Sequence, residues 1–211
     1  MEDMNILEKY KVIFWDFDGV IKKSNKIKID AFHELFKNSP NINKILEHHL
    51  QNQGISRFDK IPLYLQLSSK ELSKINIEKY TNRFSEIVVE KVINSEWVEG
   101  ALDLIASLNN QKHVIVTGTP QDEMEMILQE LKIKNMFYEV HGSPKKKSII
   151  IHDFLKRNNY ENSMAIMIGD AHEDQLAANK NGIDFYLVMN EFNQELDKNL
   201  CTFSSCNFLH I

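Results

Sequence analysis

The chain has 211 residues, 43% of them hydrophobic, which suits one α/β core with a modest appendage and argues against disorder. Its formal net charge of −5 leaves no basic surplus of the kind that sequence-independent nucleic-acid binders carry. The longest basic run, Lys145-Lys146-Lys147, is too short for a polybasic tail.

In chain order, Val12-Ile13-Phe14-Trp15 is the first short apolar run, and it leads straight into Asp16. Residues 22–93 then read as almost purely helical. Ile42, Ile45, Leu46 and Leu50 trace a short amphipathic helix, and Ile75, Ile77, Tyr80, Phe84, Ile87 and Val88 trace a longer one that ends near Val92-Ile93. Beyond Trp97, helices and apolar runs alternate. Leu102, Leu104, Ile105 and Leu108 mark a helix, and Val114-Ile115-Val116 runs into Thr117-Gly118. Met124, Ile127, Leu128 and Leu131 mark the next helix, followed by a weaker strand pattern at Phe137-Tyr138-Glu139-Val140. Ile150, Ile151, Phe154 and Leu155 give a further helix, Ala165-Ile166-Met167-Ile168 leads into Gly169-Asp170, and Phe185 to Met189 forms the last run. The final fifteen residues carry no readable pattern.

Apolar runs this short fit strands buried on both faces of a parallel sheet, and their alternation with helices predicts an α/β, doubly wound parallel sheet. A strand–helix–strand crossover needs only about a dozen residues, so the long first connection predicts an inserted helical domain. The expected division is a core of residues 1–21 and 94–211 with a helical insertion at 22–93.

Ligands of open α/β sheets bind beyond the carboxyl ends of the strands, so the polar residues there are expected to converge. Asp16 and Asp18 sit two apart in an extended segment and lean to one side. Two carboxylates ~4 Å apart at an effective dielectric of ~20 repel by about 4 kcal/mol. A hard cation such as Mg²⁺ relieves this, as does a proton held on one of them; both are expected. Asp16 and Asp170 then hold the metal while Asp18 carries the proton, with Asp18 and Asp174 completing the set of candidate metal-site carboxylates. The alternative reading of Asp16-Phe17-Asp18-Gly19 is a plain strand-to-turn junction, and acidic residues after Gly169 also stabilise a helix start. Thr117 offers a hydroxyl, and Gly118 an accessible N–H, for a phosphoryl oxygen. Of the three lysines, Lys147 lies three and four residues before Ile150 and Ile151, on the same helical stripe, and is preferred over Lys145 and Lys146.

Together these residues resemble the haloacid dehalogenase superfamily over nearly the whole chain. Asp16-Phe17-Asp18-Gly19-Val20 is similar to its first motif, which implies Asp16 as nucleophile and Asp18 as general acid/base. Thr117 stands at the second motif, the lysine run at the third, and Gly169-Asp170-Ala171-His172-Glu173-Asp174 at the acidic fourth. The lysine segment departs from the Pro-x-Pro found in many relatives. The helical insertion resembles a type 1 cap, and within the superfamily the chain is most similar to phosphoglycolate phosphatases and β-phosphoglucomutases. Gly54-Ile55-Ser56-Arg57 resembles a cap loop of the latter, which implies that Arg57 contacts the distal phosphate of a substrate.

The resemblance implies a Mg²⁺-dependent phosphomonoester hydrolase acting on a small phosphorylated metabolite, with a phosphosugar favoured, through an aspartyl-phosphate. The alternatives are a phosphosugar mutase of the same fold and a non-catalytic member that binds a ligand or partner. Cys201 and Cys206 match no zinc spacing and are expected as free thiols. Met1-Glu2-Asp3-Met4 lacks a signal-peptide pattern, and no apolar run approaches the ~20 residues of a membrane span. A cytoplasmic monomer or weak homodimer, with no nucleic-acid or membrane partner, is expected.

Overall fold

Residues 5–209 are described in the computed structural model; the N-terminal stretch read above as lacking a signal peptide lies outside them. Six strands pair in parallel: β1 (Val12–Trp15), β2 (Lys112–Pro120), β3 (Glu139–Ser143), β4 (Ala165–Gly169), β5 (Asp184–Val188) and β6 (Phe203–Ser205), in the order β3-β2-β1-β4-β5-β6. The central position of β1 explains its unbroken apolar sequence. Phe14 is paired with Val114 on one side and Met167 on the other, and all four β1 residues are fully buried.

Side chains alternate between two cores, as the period of a strand requires. Val12 and Phe14 pack with Val114, Met167 and Leu187 under α7 (Lys147–Asn158) and α8 (His172–Asn181). Ile13 and Trp15 join the opposite core, which also receives α5 (Ala101–Ser107), α6 (Gln121–Glu130) and the helices inserted after β1. The indole N–H of Trp15 donates to His113 Nδ1 at 3.0 Å, so the one polar atom of this buried ring is satisfied.

Four helices lie between β1 and α5: α1 (Asn25–Phe36), α2 (Ile42–Gln51), α3 (Arg57–Leu67) and α4 (Lys74–Asn94). Phe32 of α1 holds them together, its ring packing on His49, Tyr64 and Phe84 at centroid distances of 4.7, 5.1 and 4.4 Å. The chain enters and leaves this helical layer side by side. Lys22 pairs antiparallel with Trp97, the Lys23 N–H donates to Glu96 O at 2.8 Å, and the Val98 N–H donates to Ile21 O at 3.0 Å. The buried Lys22 ammonium donates to Ile93 O at 3.1 Å and to Ser95 O, and lies 4.0 Å from the centre of the Trp97 ring.

One expectation needs correction. β3 runs from Glu139 to Ser143, a few residues later than the apolar pattern suggested, because its register is set by pairing with β2 rather than by Phe137 and Tyr138. The sequence after β5, which carries no readable pattern, supplies a strand and a core residue within the described part. β6 closes the sheet edge against β5, and Phe208 is buried against Trp15 and Tyr186.

Candidate active site

The chain goes from β1 to β2 on one side of the sheet and later returns to β4 on the other, so a crevice opens at the carboxyl end of β1. The Asp16 N–H extends the ladder, donating to Ile168 O at 2.9 Å, which fixes the Asp16 side chain at that crevice. The chain turns at once after Asp18. Gly19 has φ of +78°, and a Cβ on it would run into the Asp170 carboxylate, so a residue with a side chain is excluded twice over.

Asp16, Asp170 and Asp174 each present one carboxylate oxygen within 4.8 Å of the others, and all three are buried. Lys147 is the first residue of α7 and the buried member of the lysine run. Its Nζ lies 3.0 Å from Asp16 Oδ2 and 2.6 Å from Asp174 Oδ1. Lys145 instead pairs with Asp153 at the surface at 2.7 Å, and Lys146 is the exposed residue before the helix. Asp174, one turn into α8, also accepts the Ala171 N–H at 3.1 Å. Asp170 Oδ2 accepts from Asn25 Nδ2 at 2.6 Å and from Asn190 Nδ2 at 2.8 Å.

Burial pushes the Asp16 carboxyl above its ordinary value; Lys147 pulls it down, and Asp174 and Asp18 push it further up. Asp170 is driven well above its ordinary value by burial and then by Asp16 and Asp174. Asp174 is also raised by burial, with Lys147 opposing. For Lys147, burial favours the neutral amine, but Asp16 and Asp174 outweigh it and hold the ammonium above its ordinary value. Three carboxylates thus face a single ammonium, and Asp16 Oδ1 is buried with no hydrogen-bond partner among the described residues. An all-oxygen donor set with surplus negative charge and a bare oxygen fits a hard divalent cation.

The Asp18 side chain, expected among the metal-site carboxylates, lies apart from this cluster. Oδ1 accepts from Ser24 Oγ at 2.6 Å, and Oδ2 accepts from Thr119 Oγ1 at 3.2 Å and pairs with Lys28. Lys28 also donates to Thr119 Oγ1 at 3.0 Å. Burial alone would raise Asp18, but the Lys28 ammonium and the Ser24 hydroxyl outweigh it and hold the carboxyl below its ordinary value. Thr117 is buried, and its Oγ1 accepts the Thr119 N–H at 3.2 Å. Gly118 abuts the helical layer: a Cβ there would stand 2.5 Å from Gly54 O.

Arg57 lines the same cavity, yet its donors are engaged by the protein. Nη1 donates to Glu123 Oε2 at 3.0 Å and to Ser85 Oγ at 2.6 Å, Nη2 binds the other Glu123 oxygen, and the guanidinium carbon lies 4.5 Å from the Phe84 ring centre. The cavity measures about 40 Å³, room for a few water molecules. Asp16, Asp18 and Asp170 line its floor, and Lys28, His49 and Lys60 line the side formed by the inserted helices.

Sequence reasoning missed Lys28, Thr119, Asn25, Asn190, His49 and Lys60. Two of them had a readable signal. Thr119 is two residues beyond Thr117 in a strand and so faces the same way. On α3, Arg57, Lys60, Ile61, Tyr64 and Leu65 repeat at i, i+3, i+4, i+7 and i+8, which puts two cations on the buried stripe.

An acidic crevice at the switch point of a doubly wound sheet, covered by inserted helices, is where α/β proteins of this topology bind their ligands. The family model for haloacid dehalogenase-like hydrolases matches residues 12–188, and the chain belongs to that family. No curated protein sequence matches the chain. Among solved structures, a haloacid dehalogenase-like hydrolase from Streptococcus pneumoniae is 22% identical with a TM-score of 0.70, covering 93% of both chains. A predicted phosphoglycolate phosphatase from Haemophilus somnus is 15% identical, with a TM-score of 0.72 over 93% of this chain and 94% of the other. CbbY from Rhodobacter sphaeroides, in complex with xylulose-(1,5)bisphosphate, is 14% identical with a TM-score of 0.75 over 94% of both. Among the described residues no helix is long and apolar enough to cross a membrane.

Proposed function

We propose that the protein is a Mg²⁺-dependent phosphomonoester hydrolase of the cytoplasm, acting on a small phosphorylated metabolite. The observation that carries this reading is Asp16, buried at the end of the central strand with Oδ2 on Lys147 and Oδ1 bare. One oxygen is anchored, and the other is available as a nucleophile.

In the proposed reaction Asp16 Oδ1 attacks phosphorus, and the bond from phosphorus to the ester oxygen breaks. Asp18 gives its proton to the departing alkoxide. Asp18 then takes a proton from water, whose oxygen attacks the aspartyl-phosphate and frees inorganic phosphate together with the Asp16 carboxylate. Lys147 neutralises charge on the phosphoryl oxygens, with the Thr117 hydroxyl and the Gly118 N–H as further donors. Mg²⁺, held by Asp16 and Asp170 with Asp174 beside them, would supply the additional positive charge that lets an anionic nucleophile meet an anionic phosphate.

Asp18 must hold a proton for the first step and lose it for the second. Lys28 governs that choice in this reading: beside Asp18 it favours the carboxylate, and drawn away it leaves burial to raise the carboxyl. Residues 22–93 are proposed to be a cap on a core of residues 1–21 and 94–211. The small cavity supports a cap that opens to admit substrate and closes for reaction. Arg57 enters substrate binding, on this reading, by exchanging Glu123 for substrate oxygens.

The test is phosphate release from p-nitrophenyl phosphate and a panel of phosphorylated metabolites, with Mg²⁺ and with a chelator. Release that requires Mg²⁺ is expected. A pure, folded protein that hydrolyses no member of the panel with Mg²⁺ present would overturn the reading.

A further inference from the structure

Lys60 is buried within α3, 3% exposed, and forms no ion pair among the described residues. The other cations that reach this cavity are matched: Lys28 by Asp18 and Arg57 by Glu123. The polar contact of Lys60 is with His49 Nδ1 at 2.9 Å. When Lys60 is protonated its ammonium can only donate, so Nδ1 then accepts and the imidazole proton sits on Nε2. His49 Nε2 is itself buried with no hydrogen-bond partner among the described residues. The cavity wall therefore carries two spare ammonium N–H groups and one spare imidazole N–H, and both residues line the cavity opposite Asp16 and Asp170.

A buried cation without a counter-ion is costly, and so is each buried donor without an acceptor. Burial, followed by Lys28 and Lys147, brings the Lys60 amine down to about 7, with Asp18 and Asp59 opposing. What the wall lacks is negative charge and acceptor oxygens.

We infer that Lys60 and His49 form a subsite for a second oxyanion, a carboxylate or a phosphate, carried by the leaving group of the substrate. The inference rests on the proposed phosphomonoester reaction at the floor of the same cavity. It narrows the substrate class to a compact phosphomonoester with two anionic ends, one at Asp16 and one at Lys60. The small cavity favours a short spacer between them.

The test measures binding and turnover separately. Calorimetry on the Asp16→Asn protein compares 2-phosphoglycolate with ethyl phosphate, and propane-1,3-diol bisphosphate with its monophosphate. The first pair isolates a carboxylate and the second a phosphate. At least one doubly anionic ligand is expected to bind tenfold or more tightly than its partner, about the value of a charged hydrogen bond. Adding Lys60→Met should bring that ratio to about twofold or less, whereas Lys60→Arg, which keeps the charge, should retain part of it. Equal binding within both pairs, or a preference that survives Lys60→Met in a folded protein, overturns the subsite. Hydrolysis of the same ligands by the wild-type chain is read independently. A preserved, Lys60-dependent binding preference without any hydrolysis supports the subsite and overturns the hydrolase reading instead.

Discussion

At the floor of the cavity each buried charge has an opposite charge or a hydrogen bond within reach. Lys147 sits between Asp16 and Asp174, Asp170 takes two asparagine amides, and Asp18 takes Lys28 and Ser24. At the roof, Lys60 has a neutral imidazole and, 5.9 Å away, the centre of the Phe32 ring, but no anion among the described residues. The floor is a pre-organised network whose members hold one another in place before any ligand arrives. The roof is incomplete until something anionic enters. Chemistry needs fixed geometry at the reacting atoms, while selection works best where a missing ligand leaves a penalty behind.

Breaking the floor should give the largest effects. Asp16→Asn removes the proposed nucleophile with little change in volume, so phosphate release should fall by about 10⁴-fold or more while circular dichroism stays that of wild type. Trapping by a phosphate-mimicking metal fluoride should be lost in parallel; full turnover by this variant would remove Asp16 from its proposed role. Next comes Lys147→Ala, expected to lower kcat/KM by about 10²- to 10³-fold at saturating Mg²⁺. Lys145→Ala and Lys146→Ala should stay within about twofold, because exposed pairs such as Lys145–Asp153 contribute little. The reverse order would mean that the wrong lysine occupies the floor.

Smaller again is the support of Asp170. Asn190→Ala leaves every carboxylate in place but frees Asp170 Oδ2 from one amide. A metal titration of activity should show half-saturation at about 10- to 100-fold higher Mg²⁺; an unchanged titration would show that Asn190 does not position Asp170.

The roof predicts a change of the opposite sign. Lys60→Met should raise stability in the absence of ligand, by about 1–3 kcal/mol near pH 6. The amine falls from its ordinary 10.5 to about 7 on burial. Below pH 7 the folded and unfolded chains both carry the charge, and the folded state bears the full cost of burying it. Between pH 7 and 10.5 the folded lysine is neutral while the unfolded one is still charged, so wild-type stability from this group rises with pH. The advantage of methionine should therefore be full below pH 7 and shrink toward pH 10. Lys28, Lys147, Asp18, Asp59 and His49 surround the group, so the comparison is between Tm values of the two proteins at each pH, not the absolute profile. A Tm gain that grows with pH would contradict the burial argument.

Floor and roof also differed in how far the sequence revealed them. Asp16, Thr117 and Asp170 follow directly on apolar runs, and a strand end is a place that a sheet makes predictable. Lys147 was legible because Ile150 and Ile151 define the stripe it belongs to. The roof comes from helices whose mutual packing no local pattern encodes. Lys28 meets Asp18 only because α1 folds back over β1, and Lys60 meets His49 only because α2 and α3 lie side by side. The buried stripe on α3 does contain two cations, but amphipathic spacing signals a helix without telling which polar residues its buried face carries. β6 was missed for a different reason: three residues paired on one side only leave too little apolar sequence to stand out.

The paired entry and exit of the helical layer constrains how that layer can travel. Two independent tethers would allow such a layer to twist, slide and tip. Here the tethers are stitched into one short ribbon, with the Lys22 ammonium clasping the end of α4 and the Trp97 ring. A door on one hinge has a single arc. If the helical layer is the proposed cap, opening along that arc would carry Lys28, His49 and Lys60 away from Asp16 and Asp18 together. Access to the proposed nucleophile, release of Asp18 from its lysine and exposure of the inferred anion subsite would then be one mechanical event rather than three.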